Sequence, residues 1–343
     1  MLFGRSLLNH YFKYKRKVIQ NITEINRRCI ATCQSPKVLF FGTDNFSLPS
    51  LQKLHQNKVE VGVVTSFKSP ANCVRSYAEL QKLPLYRWPI TAEQCAAYEV
   101  GVVVSFGHMI PLPIINAFPS GIINVHASLL PRWRGAAPII YAIMKGDTKT
   151  GVSIMQIQPH HFDIGDILAQ RELPIRSDIH MPELHSALSQ LGADLLLDTV
   201  HNLKDQLAKA TPQDEKLASF APKITSRITE IMWSEQTASE LYARYRALYG
   251  FKCLTTSFVD KQVQLIEVQQ PQQQLAASLT PGQFTFHRGR KSLMIGCAGG
   301  TLLEVTQIRL EGKKPMSAQD FNNGFLKRAA SLEFTRNKHV ACC

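Results

Sequence analysis

From Lys37 onward, short apolar runs alternate with stretches in which apolar residues recur every three or four positions. The first three runs cover 37–41, 59–65 and 100–105. Helical spacing lies between them, around Leu48, Leu51 and Leu54, over 75–81 and over 92–98. Runs that are apolar at nearly every position predict strands buried on both faces, and helical periods between them predict βαβ units with a parallel sheet. The predicted fold class is α/β, a Rossmann-like doubly wound domain whose ligands bind beyond the carboxyl ends of the strands. Runs at 122–125, 152–157 and 167–173 extend the sheet. Residues 182–209 then read as one long helix, with Leu184, Leu188, Leu191, Leu195 and Val200 on or near one face.

The rhythm changes after Lys209. Residues 210–216, with Thr211-Pro212-Gln213-Asp214-Glu215, have a linker's composition. One helix follows at 238–248, then five short strand-like runs at 254–259, 263–268, 282–287, 292–297 and 302–308, separated by Gly, Pro and Gln. That pattern predicts a small OB-like β-barrel. The expected organisation is a leader at 1–35, an α/β domain at 36–209, a linker at 210–232, a barrel domain at 233–336 and a tail at 337–343.

The chain has 343 residues, 45% of them hydrophobic and 19% charged, which excludes disorder as its dominant state. No apolar stretch approaches the ~18 to 20 residues of a membrane-spanning helix. Eight cysteines without a CxxC pair fit a reducing compartment better than a disulfide scaffold. The net charge of +13 is unevenly placed: +6 lies in 1–36, zero in 37–220 and +7 in 221–343. The first of these segments is acid-poor and amphipathic, with Leu7, Tyr11, Tyr14 and Val18 on one stripe and Lys13, Arg16 and Lys17 pointing away. This is the composition of a mitochondrial transit peptide, cleaved between Arg28 and Pro36, and it predicts a matrix location. The alternative is a basic arm that touches RNA or nothing.

The densest chemistry lies in 121–138. Asn124 and His126 are two apart on a predicted strand, so they share a face, and both are polar where the run is otherwise apolar. An amide donor and an imidazole aimed at one point can bind a carbonyl oxygen and stabilise the charge that develops when a nucleophile attacks it. A buried histidine held by a backbone partner is the plainer reading. A second cluster places Asp163 on the loop after the strand at 152–157. There a carboxylate can orient an imidazole and receive a proton, or can simply form an Asp-x-Gly turn. His160 and His161 beside Asp163 have no partner cluster at metal-ligand spacing, so no metal is expected.

Asn124-x-His126, the loop Ser128-Leu-Leu-Pro-Arg-Trp-Arg-Gly135 and the strand leading to Asp163-x-Gly165 together resemble the folate-dependent formyltransferase family. The opening Phe41-Gly-Thr-Asp-Asn-Phe46 and the closing segment 312–320 resemble its tRNA-directed members, so the resemblance covers about 37–327. It implies formyl transfer from 10-formyltetrahydrofolate to the α-amine of methionine on the initiator methionyl-tRNA. It also implies a catalytic trio of Asn124, His126 and Asp163, and a folate site formed by Ser128, Leu129, Leu130 and Pro131 with Phe106, Met109 and Ile110. A monomer without an obligate protein partner is expected.

A folate and an amino acid do not require +7 on a second domain, whereas a polyanion does, because neutralised phosphates release counterions. Candidate tRNA contacts are Lys223, Arg244, Arg246, Arg288, Arg290, Lys291, Lys313 and Lys314, with Phe46 added by the resemblance. Bacterial members carry a long Gly- and Arg-rich insertion after the second strand, whereas 65–77 here is short, with only Lys68 and Arg75. Three other readings remain open at this point: a formyltransferase acting on a small amine such as glycinamide ribonucleotide, a formylfolate hydrolase or dehydrogenase module that releases formate to water, and a non-catalytic RNA-binding relative.

Overall fold

The fold was obtained as a computed structural model that describes residues 35–68, 72–159, 161–269, 279–326, 329 and 331–336. The leader (Ser35 apart), the tail from residue 337, His160 and most of the Gln-rich turn at 269–274 lie outside the described residues.

The first sheet has seven strands: β1 (Val38–Phe41), β2 (Val61–Thr65), β3 (Leu85–Arg87), β4 (Val100–Val104), β5 (Ile122–His126), β6 (Lys149–Gln156) and β7 (Ile167–Pro174). Their spatial order is β3-β2-β1-β4-β5-β6-β7. β1, β2 and β4 are buried at every position, as continuous apolar runs covered on both faces should be. The sheet is parallel from β3 to β5, but β6 and β7 run antiparallel, which corrects the all-parallel expectation. Between β6 and β7 lie only residues 157–166 with no helix, and so short a connection returns the chain antiparallel. β7 alternates between covered and exposed positions, the mark of a strand with one face in water. β3 escaped the pattern because it is three residues long and half-buried.

Among the described residues the helices that accompany this sheet are α1 (Leu48–Gln56), α2 (Cys73–Leu80), α3 (Ala92–Cys95), α4 (Leu112–Ile115), α5 (Pro138–Met144), α6 (Met181–His201) and α7 (Leu203–Ala208). The single helix expected over 182–209 is therefore two. Asn202 breaks it at φ −114° and ψ 25°, and its backbone N–H at 3.3 Å and its side-chain amide at 2.9 Å both donate to the Asp198 carbonyl. In α6, Gly192 faces β5 and β6, and a Cβ there would lie 3.1 Å from Val125. The helix thus presses directly on the strand that carries Asn124 and His126.

The second sheet comprises β8 (Leu254–Phe258), β9 (Lys261–Val268), β10 (Phe284–His287), β11 (Ser292–Gly296) and β12 (Leu302–Leu310), in the order β10-β11-β12-β9-β8, with β13 (Met316–Ser317) on β12. Neighbours are antiparallel. Its two edges are joined by 332–335. Ser257 and Thr335 exchange both backbone hydrogen bonds at 2.9 Å, while Phe284 N donates to Leu332 O and Phe334 N to Gly282 O, both also at 2.9 Å. The closed barrel is filled by Phe258, Phe284, Phe321 and Phe334, the second and last of them stacked at 4.3 Å. Helix α8 (Ala238–Leu248), opened by a Thr237–Glu240 capping box, packs between α5 and the barrel, and α9 (Ala318–Gly324) covers the barrel near β12 and β13.

Candidate active site

β5 delivers Asn124 and His126 to one face of the sheet, with Cα partners Met155 and Ser153 on β6. His126 is buried, whereas Asn124 is half-buried and its amide has no hydrogen bond to any described residue. Nε2 of His126 lies 2.9 Å from the carbonyl oxygen of Trp133. A carbonyl only accepts, so Nε2 carries the hydrogen, and in the neutral ring Nδ1 is an acceptor. That Nδ1 faces Oδ1 of Asp163 at 3.6 Å. Two acceptors face one another in the neutral state, and a proton entering between them turns the contact into an ion pair held at both ring nitrogens.

Both partners of His126 sit on left-handed backbone, Trp133 at φ +62° and Asp163 at φ +58°. Neither is glycine, so each conformation has to be held from outside. Asp163 Oδ2 accepts from Gly135 N at 2.8 Å, and Gln213 Nε2 donates to the carbonyls of Asp163 at 2.9 Å and Gly165 at 2.8 Å. Gly135 has φ +117°, and a Cβ there would stand 2.7 Å from the Ala221 carbonyl. At Gly165 a Cβ would meet the Gln156 carbonyl at 1.8 Å, so only glycine permits this closure of the Asp163 loop.

The loop after β5 is tied down internally. Ser128 Oγ donates to Arg132 O at 2.6 Å. Ser153 Oγ donates to Ser128 O at 2.7 Å and accepts from Leu130 N at 2.9 Å and Gln170 Nε2 at 2.8 Å. Arg132 and the Trp133 indole both donate to Asp147. Arg134 is buried; it donates to Gln213 Oε1 and, through two nitrogens, to both oxygens of Glu215 at 2.8 Å, which holds that carboxyl below its ordinary range.

Of the residues expected around the folate, Leu129 and Pro131 are half-buried and Met109 is half exposed, all near the strand ends. Phe106, Ile110 and Leu130 are buried, and Phe106 packs edge-on against Phe41 at 5.5 Å and Trp88 at 5.2 Å. Ser128 is also buried.

The expected tRNA contacts divide in two. Lys223, Arg288, Lys291, Lys313 and Lys314 are exposed, while Arg290 pairs with Glu304 at 2.9 Å. Phe46, Arg244 and Arg246 are engaged within the fold. Phe46 is buried against His185. Arg244 donates to the Glu230 carbonyl at 2.8 Å and Arg246 to the Ile179 carbonyl at 2.9 Å, and burial lowers the pKa of both guanidinium groups. They sit on α8, where its packed face needed polar anchors, and composition could not separate them from surface charge.

The sequence reading also missed the part played by the linker. Arg134 and Phe220 form a parallel bridge, Thr211 and Ile167 an antiparallel one, and Ser219 Oγ accepts from Trp133 N at 3.0 Å. Its density of hydrogen-bonding side chains was the one available signal, and the same composition describes a solvated linker equally well. Among the described residues no group of three or more His, Cys, Asp or Glu could hold a metal ion, and no helix is long and apolar enough to cross a membrane.

Several known proteins are similar to this chain. The formyl transferase model matches residues 89–200, and the formyl transferase C-terminal domain model matches 223–326. The chain is 37% identical over 307 residues to human mitochondrial methionyl-tRNA formyltransferase, covering 84% of this chain and 78% of that one. It is 35% identical over 311 residues to methionyl-tRNA formyltransferase of Cereibacter sphaeroides, covering 86% and 98%. An N-formyltransferase of Helicobacter canadensis, solved with folinic acid and dTDP-3-aminofucose, shares the fold with a TM-score of 0.63 at 18% identity, over 78% of this chain and 98% of that one. HypX of Aquifex aeolicus, solved with tetrahydrofolic acid, superposes with a TM-score of 0.58 at 18% identity over 86% of this chain, which spans 48% of that longer protein. On identities of 37% and 35% over most of its length, the chain belongs to the methionyl-tRNA formyltransferase family.

Proposed function

We propose that this protein transfers the formyl group of 10-formyltetrahydrofolate to the α-amine of methionyl initiator tRNA, acting as a monomer in the mitochondrial matrix to supply formylmethionyl-tRNA for translation initiation. The observation that carries the reading is the meeting, at one strand end, of the unengaged Asn124 amide with an imidazole–carboxylate pair 3.6 Å apart that has room for one proton. The α-amine of an amino acid has a pKa near 8, and esterifying the neighbouring carboxyl lowers it, so a usable fraction is neutral near pH 7. The neutral nitrogen attacks the formyl carbon. Asn124 donates to the oxyanion that forms. The proton shed by the amine enters the gap between Asp163 and His126 Nδ1, so the ring becomes cationic while negative charge develops nearby. Collapse breaks the bond from the formyl carbon to N10 of the folate, which takes up the proton; the products are formylmethionyl-tRNA and tetrahydrofolate.

In this reading residues 36–209 form the catalytic domain, 210–232 the connection and 233–336 the tRNA-binding domain. The test is to incubate purified protein with labelled 10-formyltetrahydrofolate and charged initiator tRNA. Label should appear as formylmethionine on the tRNA, and its absence defeats the reading. With Lys223, Arg288, Lys291, Lys313 and Lys314 on phosphates, KM for the tRNA should climb on the order of 10²-fold between 50 and 200 mM salt while that for the folate hardly moves. Equal salt sensitivity of the two constants would remove the barrel from tRNA binding. A tagged full-length protein should image to mitochondria, and a purely cytosolic signal contradicts import.

A further inference from the structure

We infer that residues 211–221, the stretch joining the two sheets, form part of the catalytic machinery, with Gln213 and Ser219 as the positioning residues that hold the two partners of His126. The inference rests on the formyl-transfer reading above. His126 has one partner at each ring nitrogen, the Trp133 carbonyl at 2.9 Å and the Asp163 carboxylate at 3.6 Å. Each partner occupies a left-handed conformation that a non-glycine residue adopts at a cost. Each is also fastened by this same stretch. On one side Ser219 takes Trp133 N on its hydroxyl at 3.0 Å and Arg134 N on its carbonyl at 2.8 Å, and its own N–H reaches the Pro131 carbonyl at 3.3 Å. On the other, the Gln213 amide spans the carbonyls of Asp163 and Gly165 while its oxygen accepts from Arg134 Nε at 3.0 Å and Nη2 at 2.8 Å.

Gln213 therefore bridges the two loops that meet at His126, satisfying donors of one and acceptors of the other. No other neutral side chain of its reach offers two N–H groups and an oxygen in one plane. Glutamate at this position keeps the acceptor for Arg134 but has no hydrogen for the two carbonyls, which would release Asp163 without removing the bridge to Arg134. A displacement of about 1 Å at a reacting group costs on the order of 10²-fold in rate.

The experiment compares Gln213→Glu, Gln213→Ala and Ser219→Ala with the wild-type protein in steady-state formylation over a range of pH. It also records the ring ¹⁵N shifts of His126, which report where its protons sit whether or not the protein turns over. The expected result is a kcat lowered about 10- to 10²-fold, KM for folate and tRNA within about twofold of wild type, a protein that stays folded at the assay temperature with a modestly lowered thermal midpoint, a displaced pH profile and shifted ring nitrogens. If Gln213→Ala fails to fold, the near-isosteric Gln213→Glu and the independent Ser219→Ala decide. Wild-type kcat, pH profile and nitrogen shifts in both of those variants overturn the inference, and so does a loss confined to KM or to stability. If wild-type protein formylates nothing yet the His126 shifts move in Gln213→Glu, the functional reading fails while the positioning role stands.

Discussion

Replacing His126 with alanine should lower kcat by about 10²-fold or more, the scale of losing one group that stabilises the oxyanion, while KM for the formyl donor stays within about twofold. The ring contacts the Trp133 carbonyl and faces Asp163, and both contacts disappear in the variant. Stability should respond far less. The fold loses one neutral hydrogen bond worth about 1 kcal/mol and the packing of one ring, which a domain stable by several kcal/mol survives. A melting curve beside the kinetics separates the two effects, because a catalytic loss should occur in a folded protein. Turnover near the wild-type value in a folded His126→Ala would remove the imidazole from the chemistry and leave Asn124 as the remaining polarising group.

The parts of the fold legible in the sequence were those where one physical requirement controls every position. β1, β2 and β4 had to be apolar or glycine at every position but the terminal Thr65 of β2, because both faces are covered. The direction of β6 and β7 was not legible, since an apolar run looks the same whichever way it is paired. Asn202 could have been suspected as a helix breaker, but the leucines on either side keep the helical period across it. At the site, Asn124 and His126 stood out as polar residues in an apolar run. Gln213 and Ser219 did not, because their importance comes from partners 48 to 86 positions away. Arg244 and Arg246 are hard to place for the same reason: a guanidinium engaged on a backbone carbonyl and an exposed one awaiting a phosphate are the same letter.

Asp163→Asn should be the sharper test of the proton path, because it improves the resting geometry while removing the function. In the variant the amide oxygen can still accept from Gly135 N, where Asp163 Oδ2 now accepts at 2.8 Å. The amide nitrogen then points at Nδ1 of His126 and donates to it, replacing the 3.6 Å meeting of two acceptors with a true hydrogen bond. The thermal midpoint should hold or rise. Yet the gap that took the amine's proton is now filled by a hydrogen that cannot be passed on, and the ring stays neutral while the oxyanion forms. General acid–base catalysis contributes roughly 10²- to 10⁴-fold, and a loss in that range is expected in kcat, with both KM values little changed. A carboxylate serving only to brace the loop predicts the opposite, since asparagine braces it equally well and the enzyme would keep its rate. Activity within about threefold of wild type in Asp163→Asn would therefore move the proton's destination away from this pair, whatever His126→Ala had shown.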